Sequence, residues 1–267
     1  MKPVTRGFTI LEVLVATSVL ALMLAAILQV AGQTTMVARL AGSKMGAGQS
    51  VRSALDAVER DLRAAVITPR AALLVGTSSM AFLTCGRGPN TVPARFLGVC
   101  YRWNSDGQLI RGYAAVDEAA TDLLAAAEGA STSPDQPVVA ENILQVAFVA
   151  ILDDGTRRLL NNPAAGSWNA AGAVPYGEWT APGGWTALVP AMAALPGSGP
   201  RVSALLVAMV GTDPKGSALL SSAQRALFAQ PVGEDPASEW EAVAESTSLP
   251  APVRSSLSIQ SKMIPLP

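Results

Sequence analysis

The chain is 267 residues long, and its 19 lysines and arginines nearly balance 20 aspartates and glutamates, a formal net charge of −1 that offers no basic face for nucleic acid. It holds no histidine, which excludes Ser-His-Asp and Cys-His nucleophile pairs, histidine metal sites and the commonest general base. Half of it is hydrophobic but only 5% is aromatic. The apolar content is therefore aliphatic, and the length suits one membrane element plus one globular domain.

The chain opens Met1-Lys2-Pro3-Val4-Thr5-Arg6-Gly7, continues Phe8-Thr9-Ile10-Leu11-Glu12, and then runs without a charge from residue 13 to 38. As a helix, Phe8 to Ala31 spans about 36 Å, enough to cross a hydrocarbon core of about 30 Å. A secretory signal has a shorter apolar region, about 7 to 15 residues, before a small-residue cleavage site. Lys2 and Arg6 precede the run, which by the positive-inside rule keeps the N-terminus cytoplasmic and places the body beyond the membrane. Glu12 is the anomaly. A carboxylate in an apolar span costs about 2.5–3.5 kcal/mol near its centre and less near its edge. Glu12 therefore either has a partner or sits close enough to the cytoplasmic edge to stay wet.

Arg6-Gly7-Phe8-Thr9-Ile10-Leu11-Glu12 resembles the class III signal of type IV pilins and type II secretion pseudopilins. The resemblance implies a leader over residues 1–7, cleavage after Gly7 by a prepilin peptidase, and methylation of the new N-terminal Phe8. Glu12 then becomes the fifth mature residue, and its carboxylate is expected to pair with the N-terminal amine of a neighbouring subunit. Two groups that are costly in lipid would thus be buried together. Residues 8–31 become the transmembrane and assembly helix. Ala16, Ser18, Ala21 and Ala25 are expected to permit close approach of neighbouring helices. The expected partners are other pilins or pseudopilins, the prepilin peptidase and a bacterial inner membrane, with the body periplasmic. The rival reading is an uncleaved signal anchor tethering a periplasmic enzyme or binding protein. An ordinary signal peptide cut near Gly32 is a further alternative, against which Glu12 argues.

Residues 32–68 continue the helical pattern. Val51, Leu55, Val58, Leu62 and Val66 recur at spacings of three and four, which lines one face. Asp56 with Arg60, and Glu59 with Arg63, are acid-before-base pairs at i, i+4, each worth a few tenths of a kcal/mol. Pro69 predicts the helix end. Gly42, Gly46 and Gly48 weaken its middle.

Residues 72–267 are expected to form a head built on an antiparallel sheet. Ala72 to Gly76 and Met80 to Cys85 are short apolar runs. Phe96 to Trp103 and Gln108 to Tyr113 flank Asp106-Gly107, which predicts a hairpin. Val138 to Leu152 reads as one long strand ending at Asp153-Asp154-Gly155, with Thr156 to Leu160 as its partner. Arg201 to Val210 reads as the last strand. Short helices are expected at 117–129 and 217–228, a long Pro/Gly-rich loop at 161–200, and a C-terminal extension after 210.

Val58-Glu59-Arg60-Asp61-Leu62-Arg63, with this order of strands, resembles the J-type minor pseudopilins. Ala140-Glu141-Asn142-Ile143-Leu144 and the long tail are also similar to the pilin-like Verru_Chthon cassette protein C. These resemblances imply an α+β lollipop, in which a long N-terminal helix packs on an antiparallel head, and a structural subunit rather than an enzyme. The J-type likeness implies a place at a filament tip. The chain departs from typical J-type members in its 161–200 loop and its long tail.

Cys85 and Cys100, at the ends of adjacent predicted strands, are expected either to form a disulfide worth about 3 kcal/mol or to remain two buried thiols. Asp153-Asp154-Gly155 and Asp106-Gly107 read as turns rather than calcium loops, because the spaced acidic ligands of such a loop are missing. Trp168, Trp179, Trp185 and Trp240 are expected either to pin loops to the domain or to contact a partner subunit or secreted substrate, and Trp103 to lie in the core. No G-x-S-x-G elbow or P-loop occurs, and no lysine follows a serine at the S-x-x-K spacing. No cofactor or metal is expected.

Overall fold

The computed structural model describes residues 10–66, 73–76, 78–85, 96–116, 136–160, 186–188, 202–229, 234–246 and 248–266. The chain divides into two compact units, residues 1–43 and 44–267. Helix α1 (Ile10–Arg63) begins in the first and ends in the second. Strands β1 (Leu73–Val75), β2 (Ser79–Cys85), β3 (Phe96–Trp103), β4 (Leu109–Val116), β5 (Val138–Ala140), β6 (Ile143–Leu152), β7 (Arg157–Leu159), β8 (Thr186–Leu188) and β9 (Val202–Gly211) follow. Helices α2 (Pro214–Leu219), α3 (Ser222–Ala226), α4 (Pro236–Glu245) and α5 (Ala251–Ser256) precede a final strand, β10 (Ser258–Pro265). The architecture is α+β, with a long N-terminal helix and two antiparallel sheets, one of six strands ordered β5-β4-β3-β2-β1-β8 and one of four ordered β10-β9-β6-β7.

Glu12 in the first turn of α1, and Arg60 and Arg63 in the last, suit the helix dipole. The helix stops at Arg63, short of the end predicted from Pro69. Ala64 and Ala65 donate to the carbonyls three residues back, Ala65 bridges to Thr84, and the Val66 N–H bonds the Leu83 carbonyl at 2.8 Å. Capture by the edge of β2 therefore ends the helix before proline geometry is needed.

The second unit is organised around two cores. In the first, Val51, Leu55, Val58 and Leu62 of α1, as the periodicity predicts, are buried together with Ala54 and Ala65. They meet Met80, Phe82, Val99, Tyr101 and Trp103 of the six-stranded sheet and Val146, Phe148, Leu205, Val207 and Met209 of the four-stranded sheet. Each such large side chain contributes about 1.5–3 kcal/mol on burial. In the second core, Ala147, Val149, Ala208 and Val210 lie on the other face of the four-stranded sheet, covered by Leu220, Phe228, Trp240, Leu249, Val253 and Leu257. Because β6 and β9 are buried on both faces, they read as continuous apolar runs rather than alternating ones.

Several expectations need correction. The run from Val138 to Leu152 is two strands. Asn142 adopts φ +60, a left-handed conformation that Asn tolerates better than most residues. The chain thereby leaves the six-stranded sheet after β5 and enters the four-stranded sheet at β6. The segment after 210 is no mere extension: it supplies α2–α5 over the second core and then β10, which pairs along eight residues of β9. The 161–200 region contributes β8, which pairs with β1. The helix expected at 217–228 is two, because Ser221 caps α3 with a reciprocal Gln224 contact. Trp240 lies in α4 rather than a loop and is 1% exposed, its indole N–H donating to the Phe228 carbonyl at 3.0 Å. Trp103 is in the core as expected. The helix at 117–129, together with Trp168, Trp179 and Trp185, falls outside the described residues.

Candidate assembly segment

The N-terminal stretch of α1 concentrates the features that the sequence singles out. Gly7 and Phe8 fall outside the described residues, and Glu12 lies in the first turn of the helix. From Ile10 to Ala38 every residue is exposed, including Leu11, Leu14, Leu20, Leu24, Ile27 and Leu28. A helix apolar all round is stable only when something apolar covers it. Among the described residues this is the one helix long and apolar enough to cross a membrane.

Its hydroxyls suit an apolar surrounding. Thr17 donates to the Val13 and Leu14 carbonyls at 3.0 Å, Ser18 to Leu14 at 2.8 Å, Thr34 to Val30 at 2.6 Å and Thr35 to Ala31 at 2.8 Å. Each is satisfied by its own helix, so none asks lipid for a partner. Helical periodicity places Ser18, Ala21 and Ala25 along one face, and Ala16 about half a turn away. The four small residues are therefore not one stripe.

A second polar centre, not anticipated from the sequence, lies in the 44–267 unit. Asp61 sits on the buried face of α1, between Val58 and Ala65. The Tyr101 hydroxyl donates to Asp61 Oδ2 at 2.5 Å, and Arg111 Nη2 meets Asp61 Oδ1 at 2.5 Å. The Arg111 guanidinium also lies 4.3 Å from the centre of the Tyr113 ring, a cation–π distance. Burial first, and the Asp61 charge second, hold the Tyr101 phenol well above its ordinary pKa. The signal for this centre was an acidic residue at a core position of the three-and-four pattern.

Outside it, Lys262 of β10 bonds Asp56 at 2.7 Å and Glu59 at 2.5 Å, while Glu59 also pairs with Arg63 at 2.8 Å as expected. Asp56, expected to meet Arg60, thus meets a residue from the far end of the chain. The Lys262 contact is the main cause that holds both carboxyls below their usual range.

The Cys85–Cys100 bridge is not formed. In the β2–β3 register Cys100 lies opposite Ala81 and Cys85 opposite Phe96. The two cysteines are thus offset by four residues, about 13 Å along the strands, against a limit near 7 Å between bridged Cα atoms. Cys100 is a buried free thiol, pushed up to about 11 by burial. Both Asp-Gly sites are turns, as expected. Gly107 and Gly155 adopt φ of +78 and +82, and the Thr156 N–H bonds Asp154 Oδ1 at 2.8 Å. Among the described residues no group of three or more Cys, Asp or Glu is placed to hold a metal. Comparison with known proteins returned no matching family model and no matching curated relative.

Proposed function

We propose that this chain is a pilin-like structural subunit, cut after Gly7 by a prepilin peptidase, methylated at Phe8 and assembled through α1 into a filament of the type II secretion or type IV pilus kind. The observation that carries this reading is Glu12 in the first turn of α1, the one charged residue between Ile10 and Ala38, where every residue is exposed. A carboxylate in a membrane-spanning helix is costly and marks a functional position. A neighbour's N-terminal amine, freed by cleavage after Gly7, lies at the same end of the same kind of helix and supplies a partner of opposite charge. The body then faces the periplasm as a surface for other subunits, and a J-like minor position at the filament tip is the finer form of the proposal. A role in assembly rather than turnover agrees with a chain that lacks histidine.

The test is the N-terminal sequence and intact mass of membrane-extracted protein co-expressed with a prepilin peptidase. The proposal expects a chain that starts at Phe8 and is heavier by one methyl group. A chain still starting at Met1, or cut near Gly32, overturns it and leaves a tethered or secreted domain.

A further inference from the structure

We draw no further inference here: the strongest candidate, the acidic surface that Glu234, Asp235, Glu241 and Glu245 form on and beside α4 in the excursion between β9 and β10, is a cluster of carboxylates alone, and nothing in the structure shows what covers it.

Discussion

Arg111 reaches from β4 to Asp61 on the buried face of α1, Nη2 to Oδ1 at 2.5 Å, with side chains 24% and 10% exposed. Two largely desolvated charges of opposite sign thus hold the helix to the six-stranded sheet at a position otherwise occupied by apolar side chains. Breaking such a pair from one side costs about 3–5 kcal/mol, because the remaining charge stays buried without compensation. Asp61→Ala should destabilise the full-length protein in detergent by about that amount in urea unfolding. Asp61→Ala with Arg111→Leu should recover part of the loss. A single-variant effect under about 1 kcal/mol would rank the pair with ordinary surface bridges and defeat the argument.

Tyr101 gives the same cluster a signature in alkali. Its folded-state pKa is raised, by burial and then by Asp61, above the unfolded value of about 10. Below pH 10 both states keep the proton and the contribution is complete. As pH rises past 10 only the unfolded chain loses its proton, so stability falls. Tyr101→Phe removes the hydroxyl, and its unfolding free energy should therefore decline less steeply than that of the parent above pH 10. Parallel pH profiles would show that Tyr101 does not titrate differently in the two states.

How far the fold could be read from the sequence depends on whether the deciding force was local. The face made by Val51, Leu55, Val58 and Leu62 was legible because helical periodicity and burial coincide there. The β3–β4 hairpin was legible because Gly107 must adopt a positive φ. The break between β5 and β6 was not, since apolar residues on both sides of Asn142 hide a change of sheet. Strand β10 was missed because its alternating, partly polar residues follow four helices, and its partner β9 looked complete without it. Asp61 and the cysteines failed for one shared reason: pairing register and the far side of the core are tertiary facts. The spacing puts Asp61 on the apolar face of α1, but neither its Tyr101 partner nor the Cys85–Phe96 pairing can be read from local spacing. For the candidate assembly segment the position is reversed. Gly7, Phe8 and Glu12 are carried by the linear motif, and the fold adds the exposure of the helix that follows.

Gly107 tests the turn that guides the chain out of the hairpin. It adopts φ +78, and a Cβ built there would lie 3.2 Å from the Ile143 carbonyl oxygen, which itself belongs to the start of β6. Its own carbonyl accepts from the Ile143 N–H at 2.8 Å. Gly107→Ala therefore meets a left-handed backbone and a backbone contact together, and should cost about 1–2 kcal/mol. Gly155→Ala shares the positive φ but has open space around the added carbon. It should cost less. Equal losses in paired denaturation curves would remove the steric part of the argument.

Lys262 predicts an acid-side dependence. Asp56 and Glu59 have folded-state pKa values lowered first by its hydrogen bonds. Groups of that sign contribute stability above their unfolded values, near pH 4, and lose it as pH falls through the lower folded values. In Lys262→Ala the slope of stability against pH below about 5 should flatten, and added salt should lessen the difference between variant and parent, since all three side chains reach solvent. A variant with the parent's acid slope would show that the two carboxyls are held down by something other than this lysine.

Glu12 separates the assembly reading from that of a simple tether. In a tether the carboxylate is only a cost, and Glu12→Leu removes about 2.5–3.5 kcal/mol of insertion penalty at most. Membrane yield should then rise or hold, with every other property of the protein preserved. In a filament subunit the same carboxylate neutralises a neighbour's amine, so the substitution leaves that amine unpaired among packed helices, where an uncompensated charge costs far more than the leucine gains. Glu12→Leu should therefore remain membrane-inserted and processed to Phe8 while its recovery in cross-linked or sedimentable assemblies with partner pilins falls at least tenfold, a change of about 1.4 kcal/mol in association free energy. Glu12→Gln, which keeps the shape and loses the charge, should fail in the same direction if pairing with the amine is the cause. Assembly at parental levels in both variants would take the charge pair out of the mechanism and return Glu12 to the wet cytoplasmic edge of the span.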